Sequence, residues 1–112
     1  MSQVVKEIEE QYPETCKEFK RIQEEQYTTF CMKQHDYGQH NITLGMDLDH
    51  PDNANLSISA IIIRINDNVQ RLFNLVLRKK VKAQNEPVDD AFKDLSVYGI
   101  IAQIVANGKW GK

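Results

Sequence analysis

The feature that most constrains this chain is a long amphipathic stretch at residues 56–78. Apolar residues recur in it at spacings of three and four, which is the pattern of one face of an α-helix. These apolar positions are Ile58, Ile61, Ile62, Ile65, Val69, Leu72, Phe73 and Val76. A second row, Arg64, Asp67 and Arg71, runs beside them on the same predicted helix. The apolar face requires a core, and the charged row indicates a partner.

Length and composition limit what the rest of the chain can build. With 112 residues there is room for one modest core, so we predict a single helical domain over residues 1–112. Apolar residues make up 41% and charged residues 27%, a balance typical of a folded globular protein. The net charge of −2, with bases and acids interleaved, argues against a nucleic-acid duplex as the main partner.

The cysteines and the apolar runs indicate the cellular compartment in which the protein is expected. Cys16 and Cys31 are fifteen residues apart on one predicted helix, or about 22 Å by the helical rise, which is too far for a disulfide. The N-terminal residues contain no apolar leader segment, and no run approaches the roughly eighteen apolar residues of a membrane span. We therefore expect reduced thiols, no membrane partner and a cytoplasmic location.

Local signals divide the chain into helices. Ser2 is a candidate N-cap for a short first helix, and Pro13 ends it and opens a second helix that runs to about Gln34. Gly38 is a natural residue to follow the end of that helix. The pattern is then lost over residues 39–55, which predicts a long loop.

The second half predicts two further helices. The third is expected to begin at Asn55 or Ser57 and to reach about Lys82, and the fourth to run from Pro87 to the Asn107-Gly108 pair. Trp110 should fold back onto the core or pack on another subunit. The predicted architecture is therefore all-α: a bundle of three to four helices, with one long loop between the second and third main helices.

Two pairs of charged residues are candidates for a site. Arg64 and Arg71 could grip a phosphate group with Asp67 orienting them, or all three could form a solvated row of ion pairs. Asp90 and Asp94 share one face of the fourth helix, where they could hold Mg²⁺ together with phosphate oxygens. The alternative is that Asp90 complements the helix N-terminus and Asp94 pairs with one of the arginines.

Four short motifs occur in a distinctive order. They are KxHDYG at a helix end, RINDxxxRLxNL in the long amphipathic helix, DDxxKDLxxYxII at the start of the last helix, and a closing GKW. Together they resemble the first of the nucleotide-modification-associated domain families, which are small proteins common in bacteriophage genomes. The resemblance covers residues 33–110. The matching positions are Lys33, Asp36, Tyr37, Gly38, Arg64, Asp67, Arg71, Asn74, Asp90, Asp94 and Tyr98.

The resemblance implies an α-helical, phage-type protein that handles nucleotides. More distantly, the chain is similar to all-α nucleoside triphosphate pyrophosphatases, in which ExxE and ExxD motifs on two packed helices hold Mg²⁺. Here the third helix carries two arginines and one aspartate where those enzymes have two glutamates, and Asp90 and Asp94 are four residues apart. This composition favours holding a phosphate over hydrolysing it with a metal-activated water.

The residues and the resemblance together predict a nucleotide-binding protein of the host cytoplasm. Its ligand would be a mono-, tri- or cyclic nucleotide, and holding it could withdraw a signalling nucleotide from host defence. The arginines would contact phosphate, Tyr37 would stack on a base, and Asp36 or Asp94 would read a polar edge. The predicted nucleotide-binding residues are Lys33, Asp36, Tyr37, Arg64, Asp67, Arg71, Asp94 and Tyr98.

Two other functions stay open at this point. The first is a Mg²⁺-dependent nucleotide pyrophosphohydrolase with Asp67, Asp90 and Asp94 as metal ligands; the binding function itself requires no cofactor. The second is a helical adaptor that binds a host protein through an apolar edge and Trp110. Whichever of the three functions applies, we expect a homo-oligomer, because residues 4–8 and the region of Trp110 offer apolar edges.

Overall fold

The computed structural model describes residues 2–77 and 88–112, and over these ranges it is helical with no strand. The helices are α1 (Gln3–Gln11), α2 (Pro13–Tyr37), α3 (His40–Thr43), α4 (Pro51–Leu72) and α5 (Val88–Ala106). A π-helical segment, Phe73–Leu77, continues α4. The predicted all-α class is confirmed. Within the described ranges, no helix combines the length and the apolar character that crossing a bilayer requires.

The chain divides into two compact units, residues 1–35 and residues 36–112. In the first unit, α1 starts as its sequence predicts, because the Ser2 hydroxyl accepts a hydrogen bond from the Val5 N–H at 3.2 Å. Lys20 on α2 forms an ion pair with Glu9 on α1 at 2.6 Å, and this carboxylate raises the pKa of Lys20. Cys16 and Cys31 are both free thiols, as predicted. Neither α1 nor α2 contains a buried residue.

The second unit holds the buried core. Its apolar members come from α3, α4, α5 and the C-terminal segment, and they are Ile42, Ile61, Ala91, Ile101, Val105 and Trp110. Trp110 folds back onto this core, which was one of its two predicted positions. Its indole Nε1–H donates to the Gln39 carbonyl at 3.1 Å, so the end of the chain is attached to the start of α3.

Two predicted boundaries differ from the structure. α4 begins at Pro51 rather than at Asn55 or Ser57, because Pro51 occupies the first helical turn and the His50 ring accepts from the Asp52 N–H at 3.3 Å. The predicted loop is correspondingly shorter, and it contains α3. α2 runs on to Tyr37, three residues past the predicted Gln34, and Gly38 follows it with φ +68°. The predicted helix limits at Lys82 and Pro87 lie outside the described residues.

A buried hydroxyl joins α3 to α4. Ser57 has no exposed surface, and its Oγ donates to the Ile42 carbonyl at 2.7 Å. We expect Ser57→Ala to lower the free energy of unfolding by about 1 kcal/mol, because the buried carbonyl loses its donor. Ser59→Ala is the matched control, since Ser59 is exposed and bonds only the carbonyl of Asn55 within its own helix. Urea unfolding measures the free energy of unfolding of both variants, and equal losses in the two would contradict the prediction.

Candidate functional site

α4 and α5 run antiparallel in the second unit. The Arg64 guanidinium lies over the Tyr98 ring, 5.8 Å from its centroid. Further along α4, the segment from Val69 to Leu77 lines a shared groove with Phe92, which precedes Tyr98 on α5. Later residues of α4 therefore meet earlier residues of α5. This register brings Asn68 and Arg71 to about the level of Asp94 and Asp90.

The facing sides of these two helices carry a line of polar residues that we call the polar row. Each member is half-buried, and successive members on one helix are three or four residues apart, so each set occupies one face. The polar row consists of Arg64, Asn68 and Arg71 on α4, Asn74 on the π-helical segment that continues it, and Asp90, Asp94 and Tyr98 on α5. It continues the line of the buried Ser57 and Ile61, so charged groups follow directly after the core.

Arg64 has a clear structural role within the polar row. Its Nη2 donates to the Asn41 carbonyl at 3.1 Å, and its guanidinium also makes the cation–π contact with Tyr98. Asn41 belongs to α3, and a cation is favourable near the carbonyls at a helix C-terminus. Asn68 in turn donates to the main-chain oxygen of Arg64 at 3.1 Å. Arg64 therefore holds α3, α4 and α5 together.

The guanidinium group of Arg71 is less exposed to solvent than that of a typical surface arginine. Its Nε and Nη2 atoms have essentially no contact with solvent. Taking a guanidinium out of water is costly, and its attraction to an anion is stronger in the less polar surroundings of a helix interface. An arginine held in this way is suited to an anion that accepts two parallel hydrogen bonds, such as a phosphate or a carboxylate.

The remaining predicted residues lie in different places. Asp67 is exposed and lies outside the polar row, although the sequence placed it in one row with Arg64 and Arg71. Asp36 and Tyr37 end α2 and belong to the second unit; both are exposed, Tyr37 by 67%. Lys33 is exposed and belongs to the first unit. Direct contact thus joins Arg64 to Tyr98, and the register adds Arg71, Asp90 and Asp94.

Sequence reasoning missed one structural contact and assigned Asp67 to the wrong row. The Asn41 acceptor is a main-chain carbonyl, for which the sequence carries no signal. The position of Asp67 could have been recognised, because Ser57, Ile61, Arg64, Asn68 and Arg71 follow spacings of four, three, four and three. That line excludes Asp67 and includes Asn68.

Asp90 and Asp94 were predicted as metal ligands. Over residues 2–77 and 88–112, no three side chains of the His, Cys, Asp or Glu types come together as a metal-binding group. A Mg²⁺ ion at the two aspartates would therefore take its remaining ligands from phosphate or water oxygens.

An apolar groove of about 230 Å³ lies beside the polar row, where the π-helical segment packs near α5. Its lining residues are Val69, Leu72, Phe73, Val76, Leu77 and Phe92. None of these described lining residues carries a charge.

Comparisons of the chain with protein-family models, with curated proteins and with solved structures found no match in any of the three.

Proposed function

We propose that this chain binds a nucleotide through the polar row, holding the phosphate with Arg71, and that it acts by binding rather than by hydrolysis. The single observation that supports the proposal is the buried position of the Arg71 guanidinium, and the register of α4 and α5 brings this residue to about the level of Asp90 and Asp94. A helix pair that needed only to fold would be as stable with apolar residues at such positions. In this proposal the charged groups of the polar row serve to hold a ligand.

The chemistry of the polar row suits a phosphorylated ligand. A guanidinium presents two parallel N–H donors, which match two phosphate oxygens. Arg64 is engaged with Asn41 and Tyr98, so in this proposal it positions the helices and Arg71 contacts the phosphate. Asp94 would orient Arg71 or accept from a base, and the exposed ring of Tyr37 offers a surface for stacking.

The ratio of acidic to basic residues in the polar row supports binding of a nucleotide over its hydrolysis. The polar row contains two arginines and two aspartates, and its aspartates alone would supply the metal ligands. Two-metal or water-activating chemistry requires a fuller set of carboxylates to fix the ion. In the proposed state the phosphate is neutralised by arginine, which stabilises the bound nucleotide without activating a water molecule. Withdrawal of a signalling nucleotide from host defence would follow from such retention.

A nucleotide panel tests the proposal. The purified chain is incubated with nucleoside mono- and triphosphates and with cyclic nucleotides in the presence of Mg²⁺, and the small molecules are separated by chromatography. We expect one nucleotide to be depleted and then recovered intact after the protein is denatured. New product peaks would instead identify the pyrophosphohydrolase, and an unchanged panel would reject both nucleotide functions.

Substitution of Arg71 tests the site itself. We expect Arg71→Ala to weaken nucleotide binding roughly 10- to 100-fold, because a hydrogen bond to a charged group is worth about 1.5–3 kcal/mol. Arg71→Lys keeps the charge but loses the two parallel N–H donors of the guanidinium, so nucleotide binding should also weaken while the fold is retained. Arg21→Ala is the matched control, since Arg21 is exposed and pairs with Glu18 and Glu25 in the first unit. Equal binding by all four proteins in isothermal titration would contradict the proposed site.

The adaptor function has one observation in its favour, which is the apolar groove beside the polar row. Phe73, Val76, Leu77 and Phe92 are all exposed there, and exposed apolar clusters commonly mark interaction sites. Trp110, which was expected to contribute to the adaptor surface, is buried in the core and is excluded from that role. An adaptor would therefore use the groove or another exposed apolar edge, such as the one at residues 4–8, rather than Trp110.

A further inference from the structure

Among the described helices, α3 is the shortest, with the four residues His40–Thr43. A helix of one turn is not stable by itself, because forming the first hydrogen-bonded turn costs more than it returns. Between Gln39 and His50, the only buried side chains are those of Ile42 and Thr43. Separation of α3 from its neighbours would therefore expose little apolar surface, and its position depends on specific attachments.

Three side chains from outside α3 attach to it by donating to main-chain carbonyls. Trp110 donates to the carbonyl of the residue that precedes α3, at 3.1 Å. Arg64 and Ser57 donate to the carbonyls of two consecutive residues within α3, at 3.1 Å and 2.7 Å. The last carbonyls of a helix have no donor within the helix, so these side chains supply partners that α3 cannot supply itself. The position of α3 is thus set by both α4 and the C-terminal segment.

The turn that ends α3 is strained. Leu44 follows the helix with φ +55° and ψ 30°, and it is the one residue other than glycine in the described ranges with a positive φ. Glycine or asparagine is favoured at such a position, because the Cβ of another residue crowds a main-chain oxygen. The Leu44 side chain is 53% exposed, so its packing offsets only part of this cost. Strain of this kind persists where the surroundings hold it, and it is relieved when the segment opens.

Two glycines lie at the ends of this segment. Gly38 precedes it with φ +68°, and Gly45 follows it with φ +76°. At both positions the space where a side chain would begin is open, and apart from the adjoining residues no atom lies within 4 Å of it. Neither glycine is therefore held by close packing, and both can adopt backbone angles that other residues avoid. Small residues of this kind at the ends of an element commonly act as hinges.

We propose that α3, together with Gln39 and Leu44, is a strap that opens about the two glycines while α4 and α5 stay folded. Its position in the structure is the closed state. In this state the carbonyl of Asn41 accepts from Arg64 and helps to hold the guanidinium over the Tyr98 ring. In the open state Arg64 loses this acceptor, so the guanidinium is held over α5 by the cation–π interaction alone and becomes more mobile.

The strap couples the C-terminal segment to the polar row. Trp110 and Arg64 attach to the same short element, so loss of either attachment favours opening of the strap and with it the loss of the other. A change at Trp110 is thereby transmitted to Arg64 through the strap. The device is independent of the nucleotide proposal, because it involves only contacts within the chain and its tests use no ligand.

Amide hydrogen exchange of the full chain, followed by NMR, tests whether the strap opens by itself. The Thr43 N–H bonds the Gln39 carbonyl at 3.1 Å, and we expect this amide to be at least about tenfold less protected than that of the buried Ile61 in α4. Leu44→Gly should raise the protection of Thr43 roughly threefold to tenfold, because glycine adopts the left-handed turn without strain. Leu44→Ala is the matched control, since it keeps a Cβ and should not raise protection. Equal protection of Thr43 and Ile61, or no difference between the two Leu44 variants, would overturn the proposal.

Trp110→Phe tests the coupling to Arg64. It removes the indole donor and keeps most of the apolar surface, so the protection of Thr43 should fall roughly threefold to tenfold. The NMR order parameter of the Arg64 Nε–H group should fall at the same time. Ala91→Gly is the matched control, because Ala91 is buried beside Phe92 of the groove, at the opposite end of α4 from the α3 attachments, so this change lowers overall stability with the strap intact. An unchanged Arg64 order parameter in Trp110→Phe, or an equal fall in Ala91→Gly, would overturn the proposal.

Discussion

Replacing Ile61 with alanine should lower the free energy of unfolding of this protein by about 2–5 kcal/mol. Ile61 is only 1% exposed, and it precedes the polar row on the face of α4 that packs against α5. Truncation removes the burial energy of the side chain and leaves a cavity between two helices that cannot fully close. Urea-induced unfolding followed by circular dichroism measures the change.

The adjacent residue supplies the control for this experiment. Ile62 is 56% exposed on the same helix, so Ile62→Ala makes the same chemical change with little loss of buried area. We expect its effect to stay within about 0.5 kcal/mol. Comparable effects of the two substitutions would mean that the α4 face is not oriented as described.

Trp110→Ala should destabilise the protein by about 3–5 kcal/mol. Trp110 is 8% exposed, and its indole bonds the Gln39 carbonyl at 3.1 Å, which ties the C-terminal segment to the region before α3. Removing the side chain loses a large buried apolar surface and one hydrogen bond to the Gln39 carbonyl, which still accepts from the N–H groups of Ile42 and Thr43. Thermal unfolding by calorimetry would show the loss as a lower midpoint and a smaller enthalpy.

Trp110→Phe separates the two contributions. Phenylalanine keeps most of the apolar surface but cannot donate a hydrogen bond, so we expect a smaller loss, of about 1–3 kcal/mol. Unfolding curves of Trp110→Ala that match those of the unmodified protein would contradict the buried position of the indole.

Most of the candidate site could be predicted from sequence, but its internal arrangement could not. The residue types and their spacing on two helices selected Arg64, Arg71, Asp90, Asp94 and Tyr98. The sequence could not decide which arginine supports the fold, because that depends on a main-chain carbonyl in α3. The position of Asp67 outside the polar row, by contrast, could have been recognised from the spacing of the residues that form the row.

Helix boundaries show the same division between local and long-range causes. Ser2, Pro13 and Gly38 act within one turn of the chain, and the structure places helix ends at each of them. The start of α4 was predicted too late because His50 caps it, and histidine is not among the usual capping residues. The sequence could not decide whether Trp110 packs on the core or on another subunit, because its partner Gln39 is 71 residues away in the chain.

The sequence by itself determined that this chain is helical, where most helices begin or end, and which side chains could serve a site. These properties follow from periodicity and from capping, which act over a few residues. Only the tertiary structure decided that α4 faces α5 antiparallel, that Arg64 holds three helices together, and that Arg71 is sheltered. The physical reason is that burial and contact depend on which helix faces meet, and that choice is made by packing between segments distant in the chain.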